Sequence, residues 1–325
     1  MARRKLEDAL AALAEARKDP TSAASLAQVR QALAGKSPHA AAKAAKIAGE
    51  CEVPAVVPQM LAAFDRFFEA ADPGCGAKAA LADALYRVGH DDPAPFLRGI
   101  RHVQMEPVFG GRVDTAVDLR GACALGLARM GHRDALLYFA DLLADPEPPV
   151  RIAAARAIAY RGGEDGAPLL RLKALLGDEE PTVVSECLGA LLRISPASVA
   201  FVASFLRARG PDVAEAAALA LGESRLTAAF EALRDWSRDV IGTPPERVAF
   251  LALATLRREE AIDHLLGVAR EGSRGPRSAR SRPWASIGAT KLCGRESTKP
   301  WVPARNAPFA RRWGRPSAEG FYRAS

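Results

Sequence analysis

The chain has 325 residues, with 45 Lys+Arg against 38 Asp+Glu, a formal charge of +7 and a pI near 9.4. Residues 273–325 hold 12 Lys+Arg and two acids, Glu296 and Glu319, a charge of +10; residues 1–272 therefore carry −3, which argues against a basic nucleic-acid-binding face on the foldable part. No run of eighteen apolar residues is present, Glu7, Asp8 and Glu15 stand where a secretory signal needs apolar residues, and five dispersed cysteines without a Cys-x-x-Cys pair argue against a disulfide framework and a thiolate zinc site, so the expected location is the cytoplasm.

Residues 1–36 read as an N-terminal helical cap, and two helical patterns alternate from 37 to 272. Helices rich in small residues end on Ile47, Leu85, Leu127, Ile158, Leu191, Leu221 and Leu256, at intervals of 38, 42, 31, 33, 30 and 35 residues. Each has an aliphatic at its start, a small residue four on, and a small-plus-large pair seven and eight on. Leu119, Cys123, Gly126 and Leu127 show it, as do Val150, Ala154, Ala157 and Ile158. These spacings share one helix face, and small residues there let two helix axes approach closely. The intervening helices carry larger side chains, such as Leu136, Leu137, Phe139, Leu142 and Leu143, and stop at breakers such as Asp145-Pro146-Glu147-Pro148-Pro149 and Asp178-Glu179-Glu180-Pro181. The expected fold is an all-α superhelix of about seven two-helix hairpins.

Pro149-Val150-Arg151 followed by Ala153-Ala154-Ala155 and Ala157-Ile158 resembles the HEAT repeat, in the short bacterial form also called the phycobilin-lyase-type HEAT-like repeat. The resemblance spans 37–272 and is strongest over 118–193; Val213-Ala214 and Val248-Ala249 later replace Val-Arg. It implies an α-α solenoid and says little of function, because such solenoids serve as adaptors, lyase modules and nucleic-acid binders.

Lys78, Arg120 and Arg151 follow the first aliphatic of their helices. The resemblance implies that each pairs with an acid of an adjacent turn, such as Asp118, Asp145 or Glu147; the other reading is a positive ladder for an acidic partner. The longest unit contains an insertion, 102–118, in which Gly110-Gly111 permits a tight turn and His102, Glu106, Arg112, Asp114 and Asp118 gather titratable groups. No nucleophile, phosphate cradle or metal-ligand spacing accompanies them, so a capping, partner-contacting loop is expected rather than catalysis. His39, His90, His102, His132 and His264 never precede a glutamate, unlike the His-Glu pairs that hold iron in the HEAT-like deoxyhypusine hydroxylase. His90 and His132 follow glycines and are expected beside helix C-terminal carbonyls, and Trp236 is expected in the core.

The resemblance places the small-residue helices on the concave side. The groove there is expected to be lined by Arg120, Ala124, Arg151, Ile152, Ala155, Val184, Ser185, Leu188, Ala218, Phe250 and Leu253, a largely uncharged surface suited to a segment of a partner. After 272 the composition turns to Arg, Pro, Ser and Gly, with Leu, Ile, Val and Phe at five positions, too few to offset the entropy of ordering. Three readings fit this tail: a basic arm stacking Trp284, Trp301 and Trp313 on bases, a flexible tail without a partner, or translation in a shifted frame. The last is preferred because the array reads as ending without a polar capping helix. The expectation is a non-catalytic protein-interaction scaffold that needs no cofactor or metal. The alternatives are a bilin lyase or lyase-chaperone type of HEAT-like protein and, third, nucleic-acid binding through the tail.

Overall fold

Prolines and serines set many of the helix starts. Pro38, Pro148, Pro181 and Pro211 stand in the first turn of their helices, where an N–H has no intrahelical acceptor to lose, and the hydroxyls of Ser22 and Ser37 accept the N–H groups of Ser25 and Ala40. The computed structural model describes residues 2–208 and 210–274. The basic segment from 275 on, with Trp284, Trp301 and Trp313 and the three readings of it, lies outside the described residues.

Seven hairpins follow one another in the described chain. They pair α2 (Ala23–Ala34) with α3 (Pro38–Glu50), α4 (Val57–Glu69) with α5 (Gly76–Arg87), α6 (Ala94–Gly99) with α7 (Val117–Arg129), and α8 (Ala135–Leu143) with α9 (Pro148–Arg161). The remainder pair α10 (Ala167–Leu176) with α11 (Pro181–Ile194), a broken helix α12 (Val199–Ala203) and α13 (Phe205–Ala208) with α14 (Pro211–Ser224), and α15 (Ala229–Asp239) with α16 (Glu246–Leu256). Helix α1 (Ala2–Ala16) packs on α2 and α3, and α17 (Glu259–Arg274) on α15 and α16. Helix α17 carries Glu259, Glu260 and Asp263 in solvent and buries Ala261, which corrects the expectation that the array ends bare.

The inner row α3, α5, α7, α9, α11, α14 and α16 packs helix against helix, and the other helices form a second layer over it. The core lies between the layers and along the inner seams. Leu119, Cys123 and Leu127, like Val150, Ala154, Ala157 and Ile158, are buried as their spacing predicts, and Trp236 is buried too. In α3 the register differs by one: its buried set runs Ala40, Ala41, Ala44, Ala45, Ile47, Ala48, so Ala48 occupies the place of Ile158 and the larger Ile47 that of Ala157. At two helix ends it is the backbone N–H of His90 and His132, and not the ring, that closes the preceding helix, donating to Leu85 O and Leu127 O after Gly89 and Gly131 at positive φ.

The insertion is ordered. After the short α6, β1 (Met105–Val108) and β2 (Gly111–Asp114) form an antiparallel ribbon with Met105 opposite Asp114 and Val108 opposite Gly111. Phe109 and Gly110 make the two-residue turn, Gly110 at a φ of 90°. The expected loop is thus a β-ribbon projecting from an otherwise helical array.

Close approach in the inner row is strictest between α14 and α16, where a Cβ on Gly222 would lie 2.4 Å from the carbonyl oxygen of Ala252. Backbone on both sides cannot yield as a side chain could. Gly222→Ala should therefore lower stability by about 1–3 kcal/mol in urea titration. Gly189→Ala on α11, where nothing lies within 4 Å, should raise it by roughly 0.5–1 kcal/mol through helix propensity.

Candidate functional site

An aspartate stands six residues before each of the three cations noted above: Asp72 before Lys78, Asp114 before Arg120, Asp145 before Arg151. A fourth, Asp178, stands six before Val184. Each carboxylate organises its own turn. Asp72 accepts the N–H groups of Ala77 and Lys78 at 3.0 Å; Asp114, Asp145 and Asp178 accept those of Ala116, Glu147 and Glu180 at 2.9 Å. The cations then tie successive turns together. Arg120 reaches its own Asp114 at 2.6 Å and the next turn's Asp145 at 3.0 Å. Arg151 donates to the carbonyls of Asp145 and Pro146 and grips Asp178 with two nitrogens at 2.6 and 2.8 Å. Where Val184 offers no cation, Lys173 of α10 meets Asp178 at 2.8 Å. Burial would raise the Asp178 carboxyl, but hydrogen bonds from Arg151, Lys173 and the Glu180 N–H outweigh it and bring the pKa down to about 2.

This ladder corrects the expected groove. Arg120 is 2% exposed and Arg151 is buried too, and both guanidinium charges are paired within the protein, so neither lines a surface. Ala124, Ala155, Val184, Leu188, Ala218 and Leu253 are buried as well. The reason is coverage: an inner helix has a neighbour on each side and an outer helix beneath, which leaves only a narrow strip in solvent. Ile152, Ser185 and Phe250 stay half-buried and belong to that strip, with Ala122, Leu125, Ala153, Arg156 and Arg193. Sequence reasoning missed Tyr86 of α5 and Tyr160 of α9, whose rings meet edge to face at 6.2 Å across the intervening α7. Burial and a hydrogen bond with Tyr160 raise the Tyr86 phenol pKa. Two of only four tyrosines falling at the ends of nearby small-residue helices was the available signal.

The second feature is the ribbon and its foot. Glu106 accepts the Gly74 N–H at 2.8 and 3.0 Å and a bond from the Gln104 amide, and these two contacts hold its carboxyl below the ordinary range. Gln104 also donates to Asp72 O at 2.8 Å and accepts from Lys78 Nζ at 2.5 Å, while its backbone N–H donates to Asp114 at 3.0 Å. For Asp114, burial pushes the carboxyl up, but the Gln104 and Ala116 N–H groups and Arg120 pull it down further. Arg112 donates to Met105 O at 2.8 Å, and the His102 carbonyl accepts from Arg120 at 2.9 Å. His102, Glu106, Arg112 and Asp114 are therefore brought into one structure, but as its fastenings; Asp118 stays exposed on α7. Above the foot, Val103, Met105, Val108 and Val113 are exposed and Phe109 is wholly so.

Fold and turn chemistry together define an α-α superhelix of short hairpins whose turns are pinned by buried Asp–Arg pairs. Residues 112–184 match the family of HEAT repeats. Two solved structures are similar at 17% identity. The complex of CpcE and CpcF of phycocyanin lyase from Nostoc sp. PCC7120 covers 75% of this chain and 93% of its own, with a TM-score of 0.43. Human deoxyhypusine hydroxylase in complex with glycerol covers 82% and 99%, with a TM-score of 0.30. No curated protein sequence is significantly similar to the chain. Among the described residues, no His, Cys, Asp and Glu side chains group so as to hold a metal ion, and no helix is long and apolar enough to cross a membrane.

Removing one member of the ladder strands buried charge. Arg120→Met should cost about 3–5 kcal/mol, measured by chemical denaturation. Arg156→Met, which breaks a pair to Glu186 from a side chain 61% exposed, should cost under about 1 kcal/mol. The folded-state pKa of Asp178 lies below its unfolded value, so its contribution is complete above about pH 4 and is lost as pH falls toward 2. Asp178→Asn should accordingly lose about 2 kcal/mol at neutral pH and show a shallower decline in stability between pH 4 and 2.

Proposed function

We propose that the chain is a non-catalytic scaffold that holds a protein partner, and that the β-ribbon is its principal contact. The observation that carries this reading is Phe109, wholly exposed at the tip of a ribbon whose foot is fastened by Glu106, Gln104, Asp114 and Arg120. A large aromatic held in water on a stiff support costs solubility and contributes nothing to the core. Such residues serve as anchors at interfaces, where a pocket closes around them. Val108 and Val113, which share one face of the ribbon, widen the apolar surface beside it. The HEAT repeats supply the frame, and the strip formed by Ile152, Ser185 and Phe250, with Tyr86 and Tyr160 near it, offers a second contact for a longer partner segment. The titratable groups at the ribbon foot already hold one another, which favours a fastening over an acid–base role. The reading places the scaffold in the cytoplasm.

Full-length chain carrying Phe109→Asp should lose its prey in affinity capture from source lysate, by about thirtyfold or more if Phe109 is a central anchor. Its thermal midpoint should be unchanged, since the ring packs on nothing, and Phe109→Leu should retain most of the capture. Undiminished capture by Phe109→Asp would reject the ribbon as the contact.

A further inference from the structure

His102 sits at the hinge between α6 and β1. Its N–H donates to Gly99 O at 3.1 Å, its carbonyl accepts from Arg120 at 2.9 Å, and its ring stands edge to face against Phe68 at 4.9 Å. The ring Nε2 is buried without a hydrogen-bond partner. We propose that His102 is a pH-sensitive latch, which keeps the ribbon docked while its ring is neutral and loosens it when the ring takes a proton.

The surroundings supply the reason. Lys78 of α5 and Arg120 of α7 face the ring as cations, and Arg98 of α6, already paired with Asp65 of α4 at 2.7 Å, lies on Phe68 at 4.2 Å. The acid on the other side, Asp114 of β2, is already taken by Arg120 and by two backbone N–H groups; Glu106 is held by Gly74 and Gln104, and Asp72 by the N–H groups of α5. A protonated ring would add a third cation here and place an Nε2–H where no acceptor stands. Burial and the Lys78 charge hold the His102 pKa below its ordinary 6.5. The position of the residue makes the latch consequential, because its own carbonyl accepts from Arg120 and Gln104, two residues on, joins Lys78, Asp72 and Glu106. A ring that swings out to accept its proton gives up its packing on Phe68 and disturbs the backbone that leads into the ribbon foot.

The sign follows from linkage. A histidine whose docked pKa lies below its free value favours docking fully above pH 6.5 and progressively less as pH falls through 6.5 toward the docked value. Glu106 and Asp114 both titrate below the ordinary carboxylate range, so pH 7.5 to 5 isolates the histidine. The latch bears on partner release only through the proposed function, but its test requires no partner. Amide hydrogen exchange of the full chain, corrected for the intrinsic pH dependence, should show a several-fold loss of protection at 103–114 between pH 7.5 and 5 while α9 and α11 stay unchanged. His102→Asn, which cannot take up the proton, should show the same protection at both values. Flat protection in the wild type, or a fall that persists in His102→Asn, overturns the latch. Should the variant not fold, the wild-type profile and the NMR titration of His102 decide: a ring titrating at or above 6.5 also overturns it. Failure of the Phe109→Asp capture test would leave this result untouched, and failure here would leave the ribbon as a contact.

Discussion

The buried pairing of Asp114 with Arg120 and of Asp178 with Arg151 is the constraint on which the stacking depends. Each carboxylate does two things at once, fixing a turn through a backbone N–H and receiving a guanidinium. Arg120 also spans two successive turns, so a hairpin can follow its neighbour in only one register without leaving a charge unpaired. A buried ion pair does not by itself make a protein more stable than well-packed apolar groups would. Here it imposes an orientation. Seams lined with alanine and glycine are shallow and would tolerate sliding; the ladder makes sliding expensive.

Those same shallow seams determine where function can reside. Close approach, as between Gly222 and Ala252, buries residues on both flanks of every inner helix and leaves a thin strip in water. An array built this way presents little side-chain relief of its own. Relief comes from departures from the repeat, namely the ribbon with Phe109 and the tyrosines that reach across α7. A scaffold that needs a specific contact is thereby driven to add an element rather than to alter the repeat, since a larger side chain in the seam would separate the helices.

The helices were legible because a small residue four after an aliphatic, and a small-large pair at seven and eight, can only be one face of a helix. That Arg120 and Arg151 pair with acids of nearby turns was also open to view from the resembled repeat, and Asp145 is a partner of Arg120; Asp114 and Asp178, the other acids they hold, were not picked out, and Asp118 and Glu147 stood in their place. The groove was misjudged at Ala124, Ala155, Val184, Leu188, Ala218 and Leu253 for a definite reason. Periodicity reveals which residues share a face but not how many faces are covered, and an inner solenoid helix is covered on three sides. The ribbon was hidden because Pro107 and Gly110-Gly111 read as loop, while pairing of Met105 with Asp114 is a tertiary matter that four-residue strands do not announce. Tyr86 and Tyr160 stand 74 residues apart, and only the tertiary packing of α5, α7 and α9 brings them together.

The ribbon is also a working part of the ladder it interrupts. Lys78 holds the place taken by arginine in the two following helices, and a single ammonium cannot fork to its own and the next aspartate as Arg120 does. It lies 3.9 Å from Asp72 and meets Gln104 instead, whose backbone N–H continues to Asp114. The inserted residue thus relays a contact that a guanidinium makes directly one turn later. Ribbon and solenoid therefore share one hydrogen-bonded system, and loosening the foot reaches the turns of α5 and α7 as well as Phe109. An insertion fastened only by its two ends would be free of the repeat around it; this one is tied to that repeat by side-chain hydrogen bonds at its foot.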